Sequence, residues 1–199
     1  MDNLKYYILE TSYNEIIINK SKFISIIFYV KNEEDIKNIL LKLKKEYTDA
    51  THITYAYVLE ENFYHCFDDG EPSGTAGKPI LNSMLENNIV SALCVVIRYY
   101  GGIKLGAGGL IRAYGNSASS VISISKKYIK VIKKQFNISF SYNLINDIEQ
   151  FISKHDGVII NKTYDSNITY IISISSIDDI KYLLSSFQEL EDITTFVRI

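Results

Sequence analysis

The chain has 199 residues, 47% hydrophobic and 22% charged, which excludes wholesale disorder and allows one large domain or two small ones. Its formal charge of −2 excludes a uniformly basic nucleic-acid binder, so any such contact has to be local. Cys66 and Cys94, without C-x-x-C spacing, exclude a disulfide framework and a cysteine zinc site, and no cofactor or metal is expected. The start has no cationic segment followed by an apolar run, and the longest apolar run, 89–97, is too short for a bilayer, so a cytosolic protein without membrane contact is expected.

Residues 15–19 and 23–30 read as a strand pair joined by Asn19-Lys20-Ser21-Lys22. Asn32 caps a helix whose Ile36, Ile39, Leu40 and Leu43 keep a 3.6-residue period. A strand over 53–59 precedes a polar loop, 61–77. Pro79 opens a short helix through Leu81, Met84 and Leu85. The run 89–98 reads as a central strand buried on both faces. A second loop, 101–109, leads into a long helix over 110–128. Nine of the ten glycines fall between Gly70 and Gly115, which marks demanding backbone geometry or a ligand-facing loop.

Residues 126–134 carry five lysines and no acid and read as a domain boundary, with domains 1–130 and 135–199. Beyond it the pattern is strand 136–140, helix 143–154, strands 158–164 and 168–174, helix 177–190 and strand 193–198. That βαββαβ order is ferredoxin-like, which makes the whole an α+β protein of two domains.

Chemistry concentrates in the two loops. The first holds Asp68, Asp69, Glu71, Ser73, Gly74, Thr75, Gly77 and Lys78. Gly77-Lys78 at a helix start resembles a phosphate loop, but a Walker motif needs Gly at 72 and Ser or Thr at 79, and both are Pro. An anion nest from the amides of Gly74 to Gly77, or a loop held by its own Asp and Ser caps, both fit. The second holds Arg98, Tyr99, Gly101, Gly102, Lys104, Gly106, Gly108, Gly109 and Arg112. Cations beside aromatic rings suit phosphates and stacked bases, and Gly106-Ala107-Gly108-Gly109 at a helix start offers a further anion site. Equally, Arg98 and Arg112 can pair with Asp68, Asp69 or Glu71 and tie the loops together. His52, His65 and Asp68 lack recognised metal spacing, and no elbow motif supports a catalytic triad.

As whole strings, Ala50-Thr51-His52, Tyr55-Ala56-Tyr57, DDGEPSGTAGKPIL from Asp68 and RYYGGIKLGAGGLIRAYG from Arg98 closely resemble the IMPACT/YigZ family. The resemblance implies an N-terminal domain folded like a ribosomal-protein second domain, also seen in elongation factor G domain IV. The C-terminal domain would be like that factor's domain V. Cys66-Phe67 departs from the small polar residue usual there. Eukaryotic members regulate translation through the kinase pathway that senses amino-acid starvation. The resemblance therefore implies a non-enzymatic, translation-associated regulator binding RNA or the ribosome, with no DNA specificity. Two other readings stay open. One is an enzyme on a phosphorylated small molecule, with Asp69 or Glu71 as magnesium ligand or base. The other is a module that binds a protein partner.

Overall fold

The computed structural model describes residues 4–60 and 63–199. They divide into two compact units: the chain through Ile129 with Arg198 and Ile199, and Lys130–Val197.

The first unit is built on an antiparallel sheet of five strands. These are β1 (Ser12–Ile18), β2 (Ser21–Tyr29), β3 (His52–Glu60), β4 (Phe63–Phe67) and β5 (Ala92–Tyr99), in the order β1-β2-β5-β3-β4. Asn19 and Lys20, with φ of 47° and 64°, form the two-residue hairpin between β1 and β2, the turn hand that matches strand twist. Helix α1 (Glu33–Glu46) starts where Asn32 Oδ1 accepts the Asp35 amide at 3.0 Å. It lays Ile36 and Leu43 over Ile24, Ile26, Leu93, Val95 and Ile97 on one sheet face. Helices α2 (Gly77–Glu86) and α3 (Gly106–Ile124) cover the other face, with Ile80, Met84, Tyr114 and Val121 against Phe23, Cys94 and Val96. Strand β5 is thus buried on both faces, although both its neighbours run antiparallel to it. Burial alone pushes the Cys94 thiol up to about 12, so it stays a protonated, inert packing group.

The expected polar loop 61–77 contains β4, and its first two residues lie outside the described residues. Phe63-Tyr64-His65-Cys66-Phe67 lacks a polar–apolar alternation because most of it is exposed. The long helix begins four residues earlier than expected, at Gly106, despite its glycines.

In the second unit the lysine run expected as a boundary is largely strand. Strand β6 (Tyr128–Phe140) alternates its Lys, Val and Ile residues between the faces. Helix α4 (Ile145–Lys154) and strands β7 (Val158–Tyr164) and β8 (Ile168–Ile174) follow. Strand β8 lies between β6 and β7, which makes a split βαβ unit. Ile148 and Ile152 of α4 pack on Phe136, Ile138, Tyr170 and Ile172.

The helix expected over 177–190 does not form. A 3-10 turn over Asp178–Leu183 gives way to β9 (Ser186–Glu189), which pairs with Phe136–Ser139 of β6. Strand β10 (Ile193–Arg198) completes the sheet order β10-β6-β8-β7. Two adjacent serines hold the helix pattern weakly, and β6 offers 186–189 a row of ladder partners instead, beginning where the Ser185 amide donates to Ser139 O at 2.7 Å. The architecture is α+β with two sheets, and its second half is ferredoxin-like in strand order without the second helix.

One glycine of the second loop is required by close approach. A Cβ on Gly101 would overlap the backbone of Lys20 and Ser21, and its amide donates to Ser21 Oγ at 3.2 Å. Overlap with backbone is not relieved by a rotamer change, so Gly101→Ala should cost about 1–3 kcal/mol in urea unfolding.

Candidate functional site: a cleft at one end of the first sheet

Antiparallel register decides where the two loops go. His52 of β3 pairs with Arg98 of β5, Tyr55 with Phe67 of β4, and Lys22 of β2 with Tyr99. The start of β3 and the ends of β4 and β5 therefore share one end of the sheet, and both glycine loops leave from it. Gly70, Gly74, Gly102 and Gly106 there have positive φ, which the loop glycines were expected to supply.

The first loop satisfies itself. Asp68 Oδ2 accepts the Gly74 amide at 2.8 Å, and its Oδ1 accepts those of Ala76 and Gly77 at 3.0 and 2.9 Å. The amide nest foreseen at Gly74 to Gly77 exists, and the chain's own carboxylate fills it. Burial tends to raise the Asp68 pKa, but the amides of Gly74, Gly77 and Ala76 outweigh it and hold the carboxyl below its ordinary range. Asp69 Oδ2 accepts the Ile53 amide at 2.6 Å, and Thr75 Oγ1 donates to Pro72 O at 2.6 Å. Ser73 and Lys78 are exposed.

A buried ion pair ties this loop to β5. Arg98 is 5% exposed and Glu71 8%. Arg98 Nη1 donates to Glu71 Oε1 at 2.5 Å, and the Tyr114 hydroxyl donates to the same oxygen at 2.6 Å. Burial first, and the bond to Glu71 second, raise the Tyr114 pKa far above the tyrosine range, so it remains a donor. The guanidinium lies over the rings of Phe23 and Tyr100, 5.4 and 5.5 Å from their centroids. Its Nε is buried and has no hydrogen-bond partner among the described residues. His52 Nδ1 donates to the Asp69 carbonyl at 2.7 Å, since a carbonyl only accepts, and its Nε2 lies 3.8 Å from Glu71 Oε1.

Beside this cluster lies a cleft of 420 Å³, lined by His52, Glu71, Arg98, Lys104 and the first residues of α3, Gly106 and Ala107. Among the described residues no side chain caps the N-terminus of α3, and Gly106, Ala107 and Gly108 are exposed. Unbonded amides and the helix dipole make this end electropositive. Lys104 and Arg112 are exposed, and neither forms an ion pair among the described residues. Arg112 lies back along the first turn, its Nη1 3.7 Å from where a Gly108 Cβ would sit.

Of the residues singled out in the sequence, the cleft thus gathers His52, Glu71, Arg98, Lys104 and Gly106. Asp68, Asp69, Ser73, Gly74, Thr75, Gly77 and Lys78 do not line it, nor do Tyr99, Gly101, Gly102, Gly108, Gly109 and Arg112. Arg98 is paired and structural, whereas Arg112 is free of carboxylates among the described residues. Tyr99 instead donates its hydroxyl to Asp49 at 3.0 Å. Ser21 and Thr51 were not singled out for chemistry in the sequence, whereas Tyr114, one of the rings interleaved with the loop cations, is buried and donates to Glu71. Thr51 Oγ1 accepts the Tyr100 amide at 2.9 Å, and Ser21 Oγ accepts from both Gly101 and Arg98, contacts that only the β2–β5 and β3–β5 registers create. Among the described residues no group of three or more His, Cys, Asp or Glu could hold a metal ion, and no helix is long and apolar enough to cross a membrane.

The Impact N-terminal domain family matches residues 19–122, a span containing both loops and the cleft. The chain belongs to the IMPACT family. An IMPACT family member of Haemophilus influenzae is 36% identical over 165 residues, 79% of each chain. IMPACT family member YvyE of Bacillus subtilis is 36% identical over 167 residues, 83% of this chain and 77% of that one. A crystal structure described as that of a hypothetical protein aligns with 96% of this chain and 98% of its own, at 27% identity and TM-score 0.62. The family's N-terminal domain is therefore the unit that carries the ion pair and the uncapped helix.

Two substitutions test how the site is held. Glu71→Gln leaves the Arg98 charge buried without compensation and should cost about 3–5 kcal/mol in chemical denaturation. Asp68→Asn should cost about 1–3 kcal/mol at neutral pH, because buried amides lose an ionised acceptor. The folded carboxyl ionises at lower pH than the unfolded one, so its contribution is complete above the ordinary value of 3.8 and is lost as pH falls through the folded value. Denaturation of both proteins across that range should show the gap closing in acid.

Proposed function

We propose that this chain is a cytosolic, translation-associated regulatory protein that takes a phosphate group of RNA, free or ribosomal, at the loop-end cleft. The observation that carries this reading is the uncapped N-terminus of α3 beside Lys104 and Arg112, two exposed cations without carboxylate partners among the described residues. Helix N-terminal amides with adjoining cations are a general solution for binding phosphate. Translation as the setting is what membership of the family adds. Arg98 contributes differently, since its charge is matched by Glu71 and its role is to hold the cleft wall.

A second reading has its own support. At 420 Å³, with a buried charge cluster at its base, the cleft has the size of a small-molecule site, and a phosphorylated metabolite would meet the same amides and cations. Thermal shifts with nucleoside mono- and diphosphates separate this reading from the first.

Lys104→Ala and Arg112→Ala should each weaken RNA binding and reduce the slope of log affinity against log salt by about one, because each lost phosphate contact releases one counterion fewer. Their stability should change by less than about 0.5 kcal/mol, as both side chains are exposed. A wild-type protein with no salt-dependent RNA affinity would remove this reading and leave the small-ligand one.

A further inference from the structure

The sheet face under α1 is only partly covered. Ile36 and Leu43 of α1 pack over β2 and β5, while the β3–β4 end of that face carries a row of aromatic rings: Tyr55, Tyr57, Phe63, His65 and Phe67. The row follows from register, since Tyr55 pairs with Phe67 and Tyr57 with His65, which sets their side chains on one face. The ring centroids lie side by side, 5.4 Å apart for Tyr55–Phe67, 5.8 Å for Tyr57–His65 and 6.4 Å for Tyr57–Phe63. Phe63 is 47% exposed and Phe67 41%, and His65 is exposed. Between α1 and the rings of Tyr55, Tyr57 and His65 runs a groove of 450 Å³ that shares no lining residue with the loop-end cleft, and Phe63 and Phe67 extend the row beside it. Lys37 and Lys44 line its helix side. Seven residues apart, they stand two turns from one another on the same flank, about 10 Å along the axis at the usual rise.

We propose that this aromatic face is a stacking surface for an unpaired RNA strand. Bases would lie on the rings, and the two lysines would meet the phosphates. Charge complementarity favours this occupant. Among the described residues Lys37 and Lys44 form no ion pair, and the one acid lining the groove is Glu33, which accepts the Tyr57 hydroxyl at 3.5 Å at the helix start. The exposed side chains of the strand side are rings, each with a π-face that any base can stack on. Unpaired bases on an aromatic sheet face, with cations along one side, use the means by which sheets generally bind single strands. Stacking does not distinguish ribose from deoxyribose. The choice of RNA therefore rests on the translation reading above, whereas the surface itself is independent of the cleft.

The test is fluorescence anisotropy with a labelled 12-mer of uridine, beside a 12-mer of thymidine and a double-stranded RNA. The wild-type protein should bind both single strands in preference to the duplex. His65→Ala and Phe63→Ala should each lower affinity for the uridine 12-mer at least about fivefold, and Lys37→Gln with Lys44→Gln should flatten its salt dependence. His65→Phe and Phe63→Tyr, which keep a ring, should restore binding, and melting curves matching the wild type would show that all variants fold. Lys104→Ala and Arg112→Ala serve as the separate control. If they abolish binding of the uridine 12-mer while the ring variants bind as the wild type does, the cleft is the whole RNA site and the stacking proposal falls. It falls equally if the wild type does not bind the 12-mer. It also falls if alanine at 63 and 65 turns a dimer into a monomer in sedimentation without changing RNA affinity, because the face is then covered by a second copy.

Discussion

The buried pair of Arg98 and Glu71 is the interaction on which the loop end depends. Two opposite charges have left water, and such a pair holds only if nearly every donor and acceptor is answered. Here Tyr114 shares the carboxylate oxygen, Phe23 and Tyr100 give the guanidinium aromatic surroundings, and His52 adds a polar wall at 3.8 Å. The pair joins β5 to the first loop, and Tyr114 brings in α3. Three elements distant in sequence are thus clamped at one point, and the cleft is the space beside that clamp.

The two glycine loops look alike in composition yet behave as opposites. In the first, Asp68 occupies the amides at the start of α2, so an external anion would have to displace a carboxylate already held by three hydrogen bonds. In the second, no side chain among the described residues answers the amides at the start of α3. One helix start is finished internally and the other is open to solvent. This asymmetry gives the cleft a direction, because Lys104 and Arg112, unpaired with any carboxylate among the described residues, accompany the open helix start.

The same economy governs the two faces of the sheet. On the face toward α2 and α3, mostly aliphatic side chains, with Phe23 and Tyr114, close a continuous core. On the opposite face one helix covers β2 and β5 well, half-covers β3 and leaves most of β4 to solvent. Exposed aromatic rings along an edge hairpin are costly in solution and mark surfaces that meet something.

The fold of the first unit was largely legible in the sequence, because its signals are local: the Asn32 cap, the 3.6-residue period of α1 and the apolar run of β5. Strand β4 was not, since its Phe, Tyr, His and Phe face solvent and show no alternation. Nor was β9, where β6 recruited residues that a helical pattern also fits. For the site, the sequence by itself determined which residues carry charge, where glycine permits sharp turns, and that both loops leave one strand region. Only the tertiary structure decided which charges cancel. Asp68 and Arg98 carry formal charges as open as those of Lys104 and Arg112, and burial and register enclose the first two while leaving the second two in water. Pairing is a property of distance across strands, and no linear spacing records it.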